Sequence, residues 1–188
     1  MPAPIISKDE VLDRLTVAFR QHGYDGASVA RLSEATGLGK ASLYHYFPGG
    51  KTDMAAAVLA HLGDRFEELI LAPLRGGSAA PEERLNRMIL GLSEFYDGGR
   101  RACVIDLFAI GGLRDTLGPS LAGAIEGWTD VLAGALEDAG VPAERARERA
   151  EDAVIAVEGA LVVSRARDAV DPFQRTLAEL PRRLLAAT

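Results

Sequence analysis

The chain has 188 residues, a formal net charge of −6 and a 48% apolar content. That is enough apolar material for a real core, while the acidic balance argues against a surface that binds nucleic acid everywhere. The single Cys excludes an intrachain disulfide. In chain order, residues 1–6 read as a loose tail. Ser7 with Glu10 three positions on is a capping box, and Val11, Leu12, Leu15, Ala18 and Phe19 then form one apolar stripe of a helix ending near Gly23. Tyr24 is expected to pack at the same junction.

Two short helices around a tight turn are predicted next. Val29, Leu32 and Ser33 fall at i, i+3, i+4 behind an N-cap at Ser28, and Thr36-Gly37 stops that helix because Gly accepts the left-handed conformation of a tight exit. The second runs from about Gly39 to Tyr46 and ends before Pro48. Leu43 and Phe47 share one face of it. Ala41, Ser42, Tyr44 and His45 point away from that face with Lys40 on its flank, so the outward side is small, hydroxylated, aromatic and cationic, without an acid. A helix with that face can enter a major groove.

Thr36-Gly37-Leu38-Gly39-Lys40-Ala41-Ser42-Leu43-Tyr44-His45-Tyr46-Phe47, followed by Lys51, resembles the helix-turn-helix of TetR-type transcriptional regulators. The resemblance implies Ser28, Tyr44 and Lys51 on DNA phosphates, with Lys40, Ala41, Ser42 and His45 at base edges. It also implies a homodimer through the last two long helices and an effector cavity among the middle ones; no cofactor is expected.

After Pro48-Gly49-Gly50, a connecting helix is predicted over 51–71, with Met54, Val58, Leu62, Phe66 and Ile70 repeating at a spacing of four. Gly50 is expected to leave the amides at its start open to an anion. Pro73 to Pro81 reads as a loop, 82–97 as a helix, Cys103 to Ile110 as a short buried helix, and Gly111 to Gly118 as a loop. Pro119 opens a helix to about Ala139 and Pro142 another to about Asp168. The latter carries two apolar stripes, Ala150, Val154, Val157, Leu161 and Ala153, Ala156, Ala160, Val163, hence two partners. The second stripe, with Phe173, Leu177, Leu180 and Leu184 of a last helix over 171–187, is the expected dimer seam. Pro181 should kink or break that last helix.

The fold class expected is all-α, with about nine helices. Residues 1–47 form a DNA-binding head and 48–188 a ligand-binding and dimerisation domain. Phe66, Met88, Leu92, Phe95, Tyr96, Phe108, Leu117, Leu121, Ile125 and Trp128, with Glu158 as a polar group, lie on the helices that by resemblance surround a cavity for a small hydrophobic or aromatic effector.

Other chemistry lacks its residues. Gly50-Lys51-Thr52 ends like a phosphate loop, but the first Gly of that motif would fall on His45. His22, His45 and His61 have no ligand spacing, one Cys cannot build a zinc site, and Cys103 in its apolar run reads as a small buried hydrophobe rather than a redox thiol. The apolar stretch Ala153 to Val163 is short and broken by Glu158, and Met1 to Lys8 is no signal peptide, so a soluble cytoplasmic protein is expected. The reading is a ligand-responsive repressor bound to a double-stranded operator. Two classes stay open beside it: a helical enzyme, for which no catalytic constellation appears, and a ligand- or partner-binding protein of the same fold without operator binding, which a nearly neutral head permits.

Overall fold

The computed structural model describes residues 6–110 and 112–186. Those residues form nine α-helices and no strand: α1 Lys8–Gly26, α2 Val29–Thr36, α3 Lys40–Tyr46, α4 Lys51–Phe66, α5 Pro81–Phe95, α6 Val104–Phe108, α7 Arg114–Asp138, α8 Ala143–Arg167 and α9 Asp171–Leu184. None is long and apolar enough to cross a membrane. The chain divides into two compact units. One runs to Gly63 and takes in Val104–Pro119; the other holds Asp64–Cys103 and continues from Ser120. The unit carrying the helix-turn-helix thus extends past residue 47 and recovers a later segment of chain.

In the first unit, Ser7 accepts the Glu10 amide at 3.1 Å and starts α1. The helix turns at Gly23, whose φ of 65° interrupts it within its last turn. Val11, Leu12, Leu15, Ala18 and Phe19 are buried, as their spacing requires, together with Leu32, Leu43, Phe47, Met54 and Val58. Phe108 completes this core: its ring meets Phe19 edge-on at 5.3 Å and Tyr24 at 6.2 Å. The sequence placed Phe108 and Leu117 in an effector cavity. Both are buried in the helix-turn-helix unit instead, because α6 returns to it. The helix foreseen over 103–110 is correspondingly shorter, and Ile110, expected inside, is 71% exposed.

In the second unit the connecting helix does not stay regular to residue 71. After Phe66 it widens into a π turn over Glu67–Leu71 and closes with a 3₁₀ turn over Ala72–Leu74. The π turn packs closely on α5. Gly91 of α5 has no side chain, and the Leu69 carbonyl occupies the space where a Cβ would sit. Arg84 is buried and donates to the Leu74 carbonyl and, through both terminal nitrogens, to Asp138 Oδ2, each at 2.9 Å.

Helix α7 starts at Arg114, five residues before the expected Pro119. The spacing Leu113, Leu117, Leu121 carries a buried face through the proline, which removes only one ladder bond. Pro181 likewise lies inside α9 without ending it. On the surface Arg147 of α8 bridges Glu151 on its own helix and Glu126 and Asp130 of α7. The bonds to Glu151 first, then Glu126, raise its pKa above that of a free guanidinium.

The α8–α9 pair differs most from expectation. Ala146, Ala150, Ala153, Val157, Ala160 and Ser164 are all buried and spaced four, three, four, three, four. Residues assigned to two stripes therefore form one seam. Its small side chains admit α9, whose Phe173, Leu177, Leu180 and Leu184 are buried within the same chain. Ser164 Oγ accepts the Phe173 amide at 3.2 Å and Arg149 donates to the Leu184 carbonyl at 2.9 Å, fixing both ends of α9. Ala153, Ala160 and the four α9 residues are thus monomer core. Of the expected dimer set only Ala156 and Val163 keep surface, Val163 at 44%.

Candidate nucleic-acid interface

Helix α2 and the turn into α3 are fastened at several points. Ser28 caps α2 by accepting the Arg31 amide at 3.3 Å, and Gly37 closes it in the left-handed region at φ 71°. Ser33 Oγ donates to the Leu38 carbonyl at 2.6 Å, and the Leu38 amide donates to Thr36 Oγ1 at 3.3 Å. Arg14 of α1 donates to the Thr36 carbonyl at 3.0 Å, which places a cation on the negative end of α2. Arg14 and Ser33 were not among the expected site residues. Their partners are backbone carbonyls in another turn, and sequence spacing does not reveal such bonds.

On α3, Leu43 is buried and Phe47 follows it into the core. Lys40, Ala41, Ser42, Tyr44 and His45 are all exposed, so the acid-free outward face stands as its spacing implies, with Ser28 exposed at the start of α2. Tyr46, which the sequence left out, is exposed as well and lies edge-on to His45.

The corner between α3 and α4 is held by Gly50. Its φ is 72°, and a Cβ there would come within 3.3 Å of Tyr44 Cε1, so the Tyr44 ring lies against bare backbone. Just before α4 the Gly49 amide donates to Asp53 Oδ2 and the Gly50 amide donates to the Phe47 carbonyl at 2.9 Å. Lys51 is not a free surface cation. It is half-buried, donates to the Tyr24 carbonyl at 2.9 Å and lies over the Tyr24 ring. The Tyr24 hydroxyl in turn meets Thr52 Oγ1 at 3.1 Å.

In the other unit, the residues expected around an effector cluster by their rings. Phe66 packs edge-on against Phe95 at 5.3 Å and Trp128 at 5.1 Å, and Phe95 meets Tyr96 at 4.9 Å. Tyr96 donates to Glu158 Oε1 at 3.4 Å and reaches Cys103 Sγ at 3.7 Å. Met88, Leu92 and Leu121 are buried nearby in sequence on the same helices, and Ile125 is half-buried. Among the described residues no group of three or more His, Cys, Asp or Glu could hold a metal ion.

The exposed side of α8 carries a stripe that the sequence reading missed: Ile155, Gly159 and Val162, flanked by Ala156 and Val163, with Ile155 68% exposed. A groove of about 520 Å³ runs beside it, between Asp152, Ile155 and Ala156 of α8 and Arg182, Arg183 and Leu184 of α9.

Two family models match. Residues 7–58 match "Bacterial regulatory proteins, tetR family", and residues 81–179 match "Transcriptional regulator LmrA/YxaF-like, C-terminal domain". The chain is 25% identical over 184 residues to an uncharacterised HTH-type transcriptional regulator of Mycobacterium tuberculosis, covering 95% of this chain and 94% of that one. Over 67 residues, 36% of this chain and 35% of the other, it is 36% identical to the HTH-type transcriptional repressor AcnR of Corynebacterium glutamicum. Among solved structures, a cysteine mutant of the TetR family regulator CifR complexed with a 26-base-pair double-strand operator DNA superposes with a TM-score of 0.77 at 23% identity, covering 99% of this chain and 100% of that one.

Proposed function

The chain belongs to the TetR family of DNA-binding transcriptional regulators, and on that premise we propose that it is a homodimeric repressor released from a palindromic operator by a small hydrophobic or aromatic effector. The observation that carries the DNA reading is the exposed, acid-free face of α3, anchored beneath by Leu43 and Phe47. Lys40, Ala41, Ser42 and His45 meet base edges, while Ser28 and Tyr44 meet phosphates. Lys51 has two donors left after its bond to Tyr24, and it serves the phosphate from a fixed position. Repression is the mode named for AcnR, and operator DNA is the ligand named for CifR.

The helix-turn-helix unit reads DNA, Lys51 included; Asp64–Cys103 and the chain from Ser120 bind effector and pair the chains. Pairing uses the outward stripe Ile155, Ala156, Gly159, Val162 and Val163 in an isologous contact, where each residue meets its symmetry mate's neighbours. Two recognition helices then reach half-sites one helical turn apart, about 34 Å.

Control runs along α4. Its first residue adjoins the α3 corner and its last, Phe66, lies in the aromatic cluster. A ligand that displaces Phe66 moves this helix. DNA is released when that ligand binds the DNA-incompetent form more tightly, and operator DNA must weaken ligand binding by the same factor. The test is selection of bound sequences from a random duplex pool. A palindromic consensus with one-turn half-site spacing is the expected outcome, and no enrichment at low salt overturns the operator reading.

A further inference from the structure

We propose that the effector is an uncharged aromatic compound with a hydrogen-bond acceptor, which takes the place of the Phe66 ring and accepts from the Trp128 indole N–H. The inference rests on the effector reading above and specifies its chemistry.

Trp128 is only 3% exposed, and its Nε1 has no hydrogen-bond partner among the described residues. An indole nitrogen can only donate, so what it lacks is an acceptor. Buried donors are nearly always paired, and one left unpaired weakens the fold until something accepts from it. The rings around it define the rest of the ligand. Phe66 stands edge-on to Trp128 at 5.1 Å and to Phe95 at 5.3 Å. An aromatic guest in the place of Phe66 keeps both edge-to-face contacts.

Phe66 is also the ring best able to leave. It is half-buried where Phe95, Tyr96 and Trp128 are buried. It is the last residue of α4, at the entry to the π turn Glu67–Leu71, where the backbone is already out of α register. Charge decides the acceptor type. Tyr96, 4.9 Å from Phe95, donates to the Glu158 carboxylate at 3.4 Å. An anionic guest would be desolvated beside a like charge, whereas a carbonyl or ether oxygen would not.

The test is calorimetric titration of the full chain with three probes of one shape: 1-acetonaphthalene, 1-ethylnaphthalene and 1-naphthoate. The ketone is expected to bind about tenfold tighter than the hydrocarbon, the worth of one satisfied buried donor, with the anion weakest. Trp128→Phe keeps a ring and removes the N–H, so ketone and hydrocarbon should bind it equally. Phe66→Ala vacates the site, so both should bind more tightly with the preference intact. Equal affinities in the wild type, a preference that survives Trp128→Phe, an unchanged affinity in Phe66→Ala, or no binding overturns the proposal. Measuring duplex affinity in the same titrations separates the two readings. A Trp128-dependent ketone that leaves DNA affinity unchanged keeps the site and removes the control reading. A compound that releases DNA regardless of Trp128 does the opposite.

Discussion

The Lys51 ammonium stands 4.1 Å from the centre of the Tyr24 ring and donates to the carbonyl of that same residue at 2.9 Å. One side chain therefore grips another residue by both its ring and its backbone, and joins the end of α1 to the start of α4. A cation–π contact is worth about 0.5–1 kcal/mol and a hydrogen bond about 1 kcal/mol. Lys51→Met is expected to lower the melting temperature by a few degrees, followed by circular dichroism. An unchanged melt would make Lys51 an ordinary surface lysine.

On DNA, the two ends of α3 should behave differently. Tyr44→Ala is expected to weaken binding by a similar factor on every duplex, because a phosphate contact carries no sequence. Lys40→Ala should cost about 1–3 kcal/mol on the selected operator and less on mismatched sites. Affinity measured on a set of single-base variants separates these patterns. The salt slope should be shallow for a DNA-binding dimer, since the head holds few cations.

Three glycine-to-alanine changes should fall in a definite order. At Gly123, a helical position with open space around it, alanine is expected to stabilise by about 0.5–1 kcal/mol. At Gly50 it must adopt φ 72° and press on Tyr44, at a cost of about 1–2 kcal/mol and some DNA affinity. At Gly91 it meets the Leu69 carbonyl, and overpacking of about 1–3 kcal/mol or more should follow. Urea midpoints for the three variants give the comparison.

The Arg84–Asp138 pair should respond unequally to its two deletions. Asp138 is more than half exposed, while Arg84 is buried. Asp138→Ala leaves a buried guanidinium with only the Leu74 carbonyl, a loss on the order of 3 kcal/mol. Arg84→Met leaves a solvated carboxylate and an apolar interior, and should cost less. Equal losses in denaturant titration would contradict this account.

Ile155→Arg and Ala156→Arg should both yield folded monomers in sedimentation, because each places a charge on the outward stripe of α8. Phe173→Ala should instead lose about 3–5 kcal/mol of stability, as expected of a side chain wholly inside its own subunit.

The helix-turn-helix was legible because each of its features is local. Ser28, Gly37 and the Leu43–Phe47 pair act within four residues, and the family motif lies over them. The face of α8 was less legible. Ala153 and Val163 were assigned to one stripe although they lie about 80° apart around the helix axis, and which of them faces α9 depends on where the partner helix lies. Nor does hydrophobicity tell Phe108 from Phe95: both are apolar residues on short helical patterns, and only the path of the chain sends one to each unit. The engagement of Lys51 and Asp53 was hidden for the same reason, since the sequence shows charges but not their neighbours.

The packing of Phe108 against Phe19 also constrains synthesis. The α1 segment leaves the ribosome long before α6 exists, so the DNA-reading unit cannot close its core until the chain has grown past residue 108. Until then Phe19 and Tyr24 lack a covering ring, and a nascent or truncated head should be a target for chaperones and proteases. A fragment ending at Gly63 would carry every DNA-facing residue proposed here and still be expected to bind poorly, because the long loop that must close first is missing from it.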